Sequence, residues 1–258
     1  PVALTLAPIA IGIFHHFFSH RVVQRDGIKG AVLGSIACGT VLFSLQVMAI
    51  YYRLLIDWPS GLSDKFETST LVIFNFEVLR AGCTFSDSLA TRYGLQLVAP
   101  VFVIACFTMW LPLSFALSAI TSRFPKYSLP SVLNGIGMFF QATFMSLVIV
   151  SISVFECYKS PNGKQTLRPY PFVECSSADH EEVIPLGIVA IVLYVAGFLA
   201  LCIVCSYIAP RYFPNPVFSA SIRFLVFKYR PSTWWYGVVL MLRSSLLGLV
   251  VIMEPNDG

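Results

Sequence analysis

Long apolar stretches alternate along the chain with polar segments, and each stretch is about as long as a bilayer is thick. A helix needs roughly 20 mostly apolar residues to cross the hydrocarbon core of a membrane. The pattern therefore predicts six membrane-spanning helices, at about residues 2–19, 30–52, 94–121, 133–155, 183–208 and 235–253. No internal repeat divides them, so we predict an all-α fold: one polytopic transmembrane helix bundle covering residues 1–258.

The composition places this bundle in lipid. Hydrophobic residues make up 57% of the chain and charged residues 12%, with a mean hydropathy of +0.77. Soluble domains carry about a quarter charged residues, so the excess of apolar side chains must face a bilayer. The net charge is only +4, without a basic cluster interleaved with aromatic residues, which excludes nucleic acid as a partner. The expected partners are the lipid bilayer and either further copies of the chain in a homo-oligomer or the subunits of a larger membrane assembly.

The loops alternate in charge. Three of them carry an excess of basic residues: Arg21, Arg25 and Lys29 against Asp26, then Arg123 and Lys126, then Arg211, Arg223, Lys228 and Arg230. The two long loops, residues 53–92 and 156–182, contain more acidic than basic residues. Cytoplasmic loops collect Lys and Arg. We therefore expect an integral protein of the plasma membrane with its N-terminus outside.

The two ends of the chain are typical of a fragment rather than of a whole protein. It begins at Pro1, without an initiator Met, and ends at Gly258 just after an apolar stretch. We expect it to be part of a longer protein.

Cysteines distinguish one of the outer loops. Cys157 and Cys175 bracket a segment rich in Pro, Gly and Asn, and a disulfide between them would close this loop in an oxidising compartment. Two free thiols, or pairing with Cys83 in the other outer loop, are the alternatives.

Arg243 is the one charge inside the sixth predicted span. A charge near the centre of a bilayer costs roughly 2.5–3.5 kcal/mol, so such a residue usually faces the bundle interior and finds a partner. We expect Arg243 to be buried, either as a structural pair with a carboxylate or carbonyl or in a gating or ligand role.

Two loops have recognisable local structure. Asp57, Trp58 and Pro59 end the second span, and the apolar segment 71–76 that follows is too short to span, so it predicts an interfacial or re-entrant segment. Before the sixth span, residues 224–235 form a segment that we name the elbow. It holds the interfacial residues Tyr229, Arg230, Pro231, Trp234 and Trp235. An amphipathic elbow with an aromatic belt is expected there.

Catalytic and cofactor signatures are absent. The sequence contains neither a zinc-protease helix, nor a nucleophile elbow, nor a phosphate-binding loop. Every lysine lies in a loop, and the three histidines near the first span face the side opposite to His180, so neither retinal nor a haem between helices is expected. We predict a non-enzyme without cofactor or metal.

The order of these motifs is similar to that in a known family. The motifs are Asp57-Trp58-Pro59, the Cys157–Cys175 loop, Tyr229-Arg230-Pro231, Trp234-Trp235 and Arg243. From about residue 50 the chain resembles the C-terminal multi-spanning region of large protist surface proteins. In those proteins the region follows ephrin-receptor-type cysteine-rich repeats and is similar to transient-receptor-potential channels. Gly237 and Ser244 stand where the family tends to carry an acidic and a second basic residue.

The resemblance implies a channel-like or receptor-like transmembrane module at the cell surface. Asn134 and Gln141 lie on nearly one face of the fourth span and are the candidates for lining a polar path. Because conduction needs water or ligating oxygens along a path, the small number of intramembrane polar groups favours the alternative, a membrane anchor or accessory subunit without transport.

Overall fold

The computed structural model of the protein describes residues 28–53, 59, 88–120, 127–160, 163–230 and 232–253. This part of the chain is mostly helical (79%). Its long helices are α1 (Ile28–Arg53), α2 (Leu89–Ile120), α3 (Leu129–Ile152) and α4 (Ala178–Tyr212). Two short helices, α5 (Pro216–Ser221) and α6 (Arg223–Val226), precede the last one, α7 (Tyr236–Met253).

Among the described residues, three helices are long and apolar enough to cross a membrane: α2, α4, and α3 with the 3₁₀ turn that extends it to Phe155. Their mean hydropathies are 2.0 for α2 and α3 and 3.0 for α4. Helices α1 and α7 coincide with two further predicted spans, but their described apolar parts, Gly39–Met48 and Tyr236–Val250, are shorter than 18 residues. The predicted span at 2–19 lies outside the described residues. The described residues therefore support three membrane-spanning helices and do not support about six.

Burial separates α3 from the other two long apolar helices. In its most apolar window 61% of the residues are buried, against 17% in α2 and in α4. The exposed side chains of α2 and α4 are large and apolar, for example Met109, Ile120 and Leu193. Such surfaces suit a lipid environment, whereas most of the apolar window of α3 is buried in protein.

The expectation of an all-α fold is corrected by a small antiparallel sheet. Strands β1 (Cys157–Lys159), β2 (Gln165–Leu167) and β3 (Tyr170–Glu174) lie in the order β1-β2-β3. Gly163, with φ +79°, stands in the β1–β2 turn, where a left-handed conformation favours glycine. Strands of three to five residues are too short to show a period-two pattern, so the loop was not recognisable as a sheet.

The chain divides into two compact units. The first takes its residues from 1–40, 99–141 and 202–238, and the second from 41–98, 142–201 and 239–258. In the first, one core joins Phe107, Tyr127 and Val132. In the second, one core joins α1 to α3 through Ile50, Met145 and Ile149. Another lies under the sheet: Leu89, Tyr93, Val154, Leu167, Tyr170, Val173 and Val183.

Helix α4 contains a wide turn. Residues Ile191–Gly197 are π-helical, with α-helix on either side. Within this segment the Tyr194 hydroxyl donates a hydrogen bond to the Leu97 carbonyl of α2, at 2.7 Å. The hydrogen bond fastens the widened turn to a neighbouring helix.

Candidate functional site

Helix α5 leads the chain from α4 to α6, and the last three residues of α6 are the first three of the elbow. Asn215 begins α5, and its Oδ1 accepts hydrogen bonds from the backbone N–H groups of Val217 (3.0 Å) and Phe218 (3.4 Å). Pro216 occupies the first turn, where a missing N–H costs nothing. Asn and Pro at these positions give α5 a well-defined start. Helix α6 follows, and its second residue, Phe224, contacts α3.

One face of α3 holds the beginning of the elbow. The Asn134 Oδ1 accepts a hydrogen bond from the Phe224 backbone N–H at 2.7 Å, and the Gln141 Oε1 accepts one from the Lys228 Nζ at 3.4 Å. Between them, a Cβ built on Gly137 would lie 2.3 Å from the Phe224 ring. Positions 134, 137 and 141 recur at helical spacing on one side of α3. The two side chains expected to line a polar path are thus placed against the elbow.

Helices α7 and α4 also hold the elbow. A Cβ built on Gly237 would lie 2.9 Å from the Leu225 backbone oxygen, so glycine is required for this close approach. The Trp234 Nε1 donates to the Ser206 carbonyl at 3.2 Å. A larger side chain at position 237 therefore has no room.

Tyr229 of the elbow packs edge-on against Tyr236, with ring centroids 5.5 Å apart. Burial of its hydroxyl, with a smaller effect of Tyr236, raises the pKa of Tyr229. Of the other elbow residues predicted to lie at the interface, Arg230 and Trp235 are exposed and Trp234 is half-buried, whereas Pro231 falls outside the described part. Pro59 is exposed, and Asp57 and Trp58 also fall outside it.

Arg243 is exposed, which corrects the expectation that it is buried. Its guanidinium carbon lies 5.0 Å from the centre of the Phe43 ring, a cation–π contact, and no carboxylate pairs with it among the described residues. The reason is the phase of α7. Met241, Ser244 and Gly248 share its buried side, and the close contact of Gly248 with Val148 fixes that side against α3. Position 243 therefore falls on the flank.

The predicted disulfide between Cys157 and Cys175 is present, with the two Cα atoms 6.3 Å apart. It joins β1 to the turn after β3 and closes the sheet over its core. Next to it the Ser177 hydroxyl caps α4 by accepting the His180 backbone N–H. This start of α4 explains why the helix begins before the predicted residue 183.

His180 is buried beside the disulfide. Its Nε2 donates to the Val154 carbonyl at 2.8 Å, and its Nδ1 accepts the Ser176 backbone N–H at 3.2 Å. The ligand atoms of Cys157, Cys175 and His180 lie within 4.8 Å of one another, which is close enough for a metal ion. Both sulfurs are used in the disulfide and both ring nitrogens in hydrogen bonds, so the cluster in this state is a structural one.

In unit two, the buried side chain of Gln46 connects two helices. The Gln46 Nε2 donates to the Ala142 carbonyl at 2.9 Å and to the Ser146 hydroxyl at 3.4 Å, which joins α1 to α3. Sequence reasoning did not single out Gln46, although an amide inside an apolar helix is a signal for such a contact.

Compared with known proteins, the chain matches no family model, no curated protein and no solved structure.

Proposed function

We propose that this chain is the transmembrane module of a channel-like or receptor-like protein of the cell surface. The observation that carries the proposal is the seat of the elbow on α3, made by Asn134, Gly137 and Gln141. Two amides that hold a basic segment make α3 follow any displacement of the elbow.

The proposed topology has several membrane-spanning helices, up to the six predicted, with the N-terminus outside. Alternating loop charge supports it, since the segments 121–128 and 211–230 contain only basic charges. The disulfide supports it independently, because Cys157 and Cys175 lie in a loop assigned to the outside and disulfides persist in oxidising compartments. The resemblance to the protist surface proteins agrees with both.

A membrane anchor or accessory subunit is the second candidate, and a specific observation favours it. Asn134, Gln141 and Gln46 all make hydrogen bonds with other parts of the chain. These contacts leave fewer polar groups to line a path through the described helices, whereas conduction needs such groups.

The experiment is a recording of currents from the full-length protein in planar bilayers. Asn134→Leu removes the acceptor that fixes the elbow. Thr108→Val is the matched control, because the Thr108 hydroxyl bonds only to carbonyls of its own helix. Currents altered by the Asn134 variant alone would support a channel whose state depends on the elbow. Silence from folded wild-type protein, across voltages and ions, would favour the anchor.

A further inference from the structure

The elbow and α6 have two faces with different partners. On one face Phe224, Leu225 and Lys228 are directed to α3 and α7. On the other, Arg223, Phe227 and Arg230 are exposed. The second face takes no part in seating the elbow, so its chemistry needs a separate explanation.

This outward face is basic and aromatic. The Arg223 guanidinium lies 5.2 Å from the centre of the Phe227 ring, one helical turn along the chain, and Phe227 is 50% exposed. Arg211 is exposed at the end of α4, close in sequence to the exposed Tyr212 and Phe213. Cationic groups combined with half-exposed rings are typical of a segment at the boundary between headgroups and acyl chains.

Acidic residues are absent from the stretch of sequence that carries these charges. From residue 183 to residue 253 the sequence contains neither Asp nor Glu. In the part of the chain that the structure describes, Arg211, Arg223 and Arg230 form no ion pair. Guanidinium groups bind phosphate oxygens with paired N–H donors, so an anion with several oxygens is a suitable partner for these arginines.

We propose that this face, made by Arg223, Phe227 and Arg230, binds the phosphate headgroups of anionic phospholipids in the adjoining leaflet. The proposal rests on the membrane placement of the proposed function but not on conduction. The arginines bind the phosphates while Phe227 enters the boundary beneath them. Bound headgroups would thereby hold the elbow against α3, from the face of the elbow that points away from α3.

The test is quenching of tryptophan fluorescence by brominated lipids in vesicles that contain the full-length protein. Trp234 and Trp235 adjoin the proposed face, so brominated phosphatidylglycerol should quench more strongly than brominated phosphatidylcholine. Each arginine near a membrane surface contributes about 1 kcal/mol, equivalent to about fivefold in relative binding. We expect Arg223→Gln with Arg230→Gln to lower the preference for phosphatidylglycerol by about 25-fold, or to abolish it.

Two controls keep the test decisive. Arg223→Lys with Arg230→Lys keeps both charges but loses the paired donors, so its preference should lie between those of the wild type and the double Gln variant, which separates loss of charge from loss of folding. Lys159→Gln removes an exposed cation from β1 and should change nothing. Equal quenching by both lipids in the wild type, or an unchanged preference in the double variant, would overturn the proposal. Because quenching needs no current, a silent protein that still selects phosphatidylglycerol would refute the channel and leave the lipid site standing.

Discussion

Alanine at Gly137 should destabilise the protein relative to alanine at Gly94, although both are helical glycines. A Cβ at Gly137 would meet three atoms of the Phe224 ring at 2.3, 2.4 and 2.6 Å, whereas a Cβ at Gly94 meets nothing within 4 Å. Overpacking of this kind costs about 1–3 kcal/mol. Alanine also improves helix propensity by about 1 kcal/mol at either site. The propensity effect cancels in the comparison, so the two variants should differ by about 1–3 kcal/mol.

The assay is thermal unfolding of the full-length protein in detergent, followed by far-ultraviolet circular dichroism. For a protein of this size, 1 kcal/mol shifts Tm by about 2–4 °C, so the difference is measurable. Repeating both substitutions in a Phe224→Ala background removes the ring, and the difference should then disappear. Equal Tm values for the two single variants, or a difference that survives without the ring, would refute the seat of the elbow on α3.

Three further predictions concern other parts of the chain. Replacing Cys157 and Cys175 with serine should cost about 3 kcal/mol by the chain-entropy estimate, measured as a lower Tm that reduction of the wild type reproduces. Arg243→Leu should change stability by at most about 1 kcal/mol, since only a cation–π contact with Phe43 is lost; a loss of about 3–5 kcal/mol would reveal a buried ion pair instead. Burial raises the pKa of Tyr127 from 10.0 to about 12, so its stabilising contribution is full below pH 10 and declines between these values. Tyr127→Phe should flatten that decline in a series of Tm measurements at rising pH.

The apolar pattern predicted the helices well because lipid-facing and buried helices both need long apolar runs. Helices α1, α2, α3, α4 and α7 coincide with predicted spans, with ends that differ by up to about five residues. The differences arise where polar residues cap a helix, as Ser177 does for α4. The sheet is not predictable from periodicity, because its strands are only three to five residues long.

Contacts within the candidate site were less predictable than its residues. Asn134 and Gln141 were recognised as sharing a face, but a helix face does not say which element covers it. Gly137, between them, was the signal that something approaches closely. The charge of Arg243 alone predicts a buried position, but its actual position depends on the phase of α7, which Gly248 fixes against Val148.

The π-helical turn in α4 has a consequence for insertions and deletions in the chain. A π-helical hydrogen bond joins residue i to i+5 rather than i+4, so the segment Ile191–Gly197 accommodates extra backbone within one turn. Deleting a single residue there would return the turn to α-helical geometry while keeping the faces of the flanking helical segments in register. The same deletion in α3 would rotate every later contact by about 100°. Helix α4 can therefore vary in length at this one place at little structural cost.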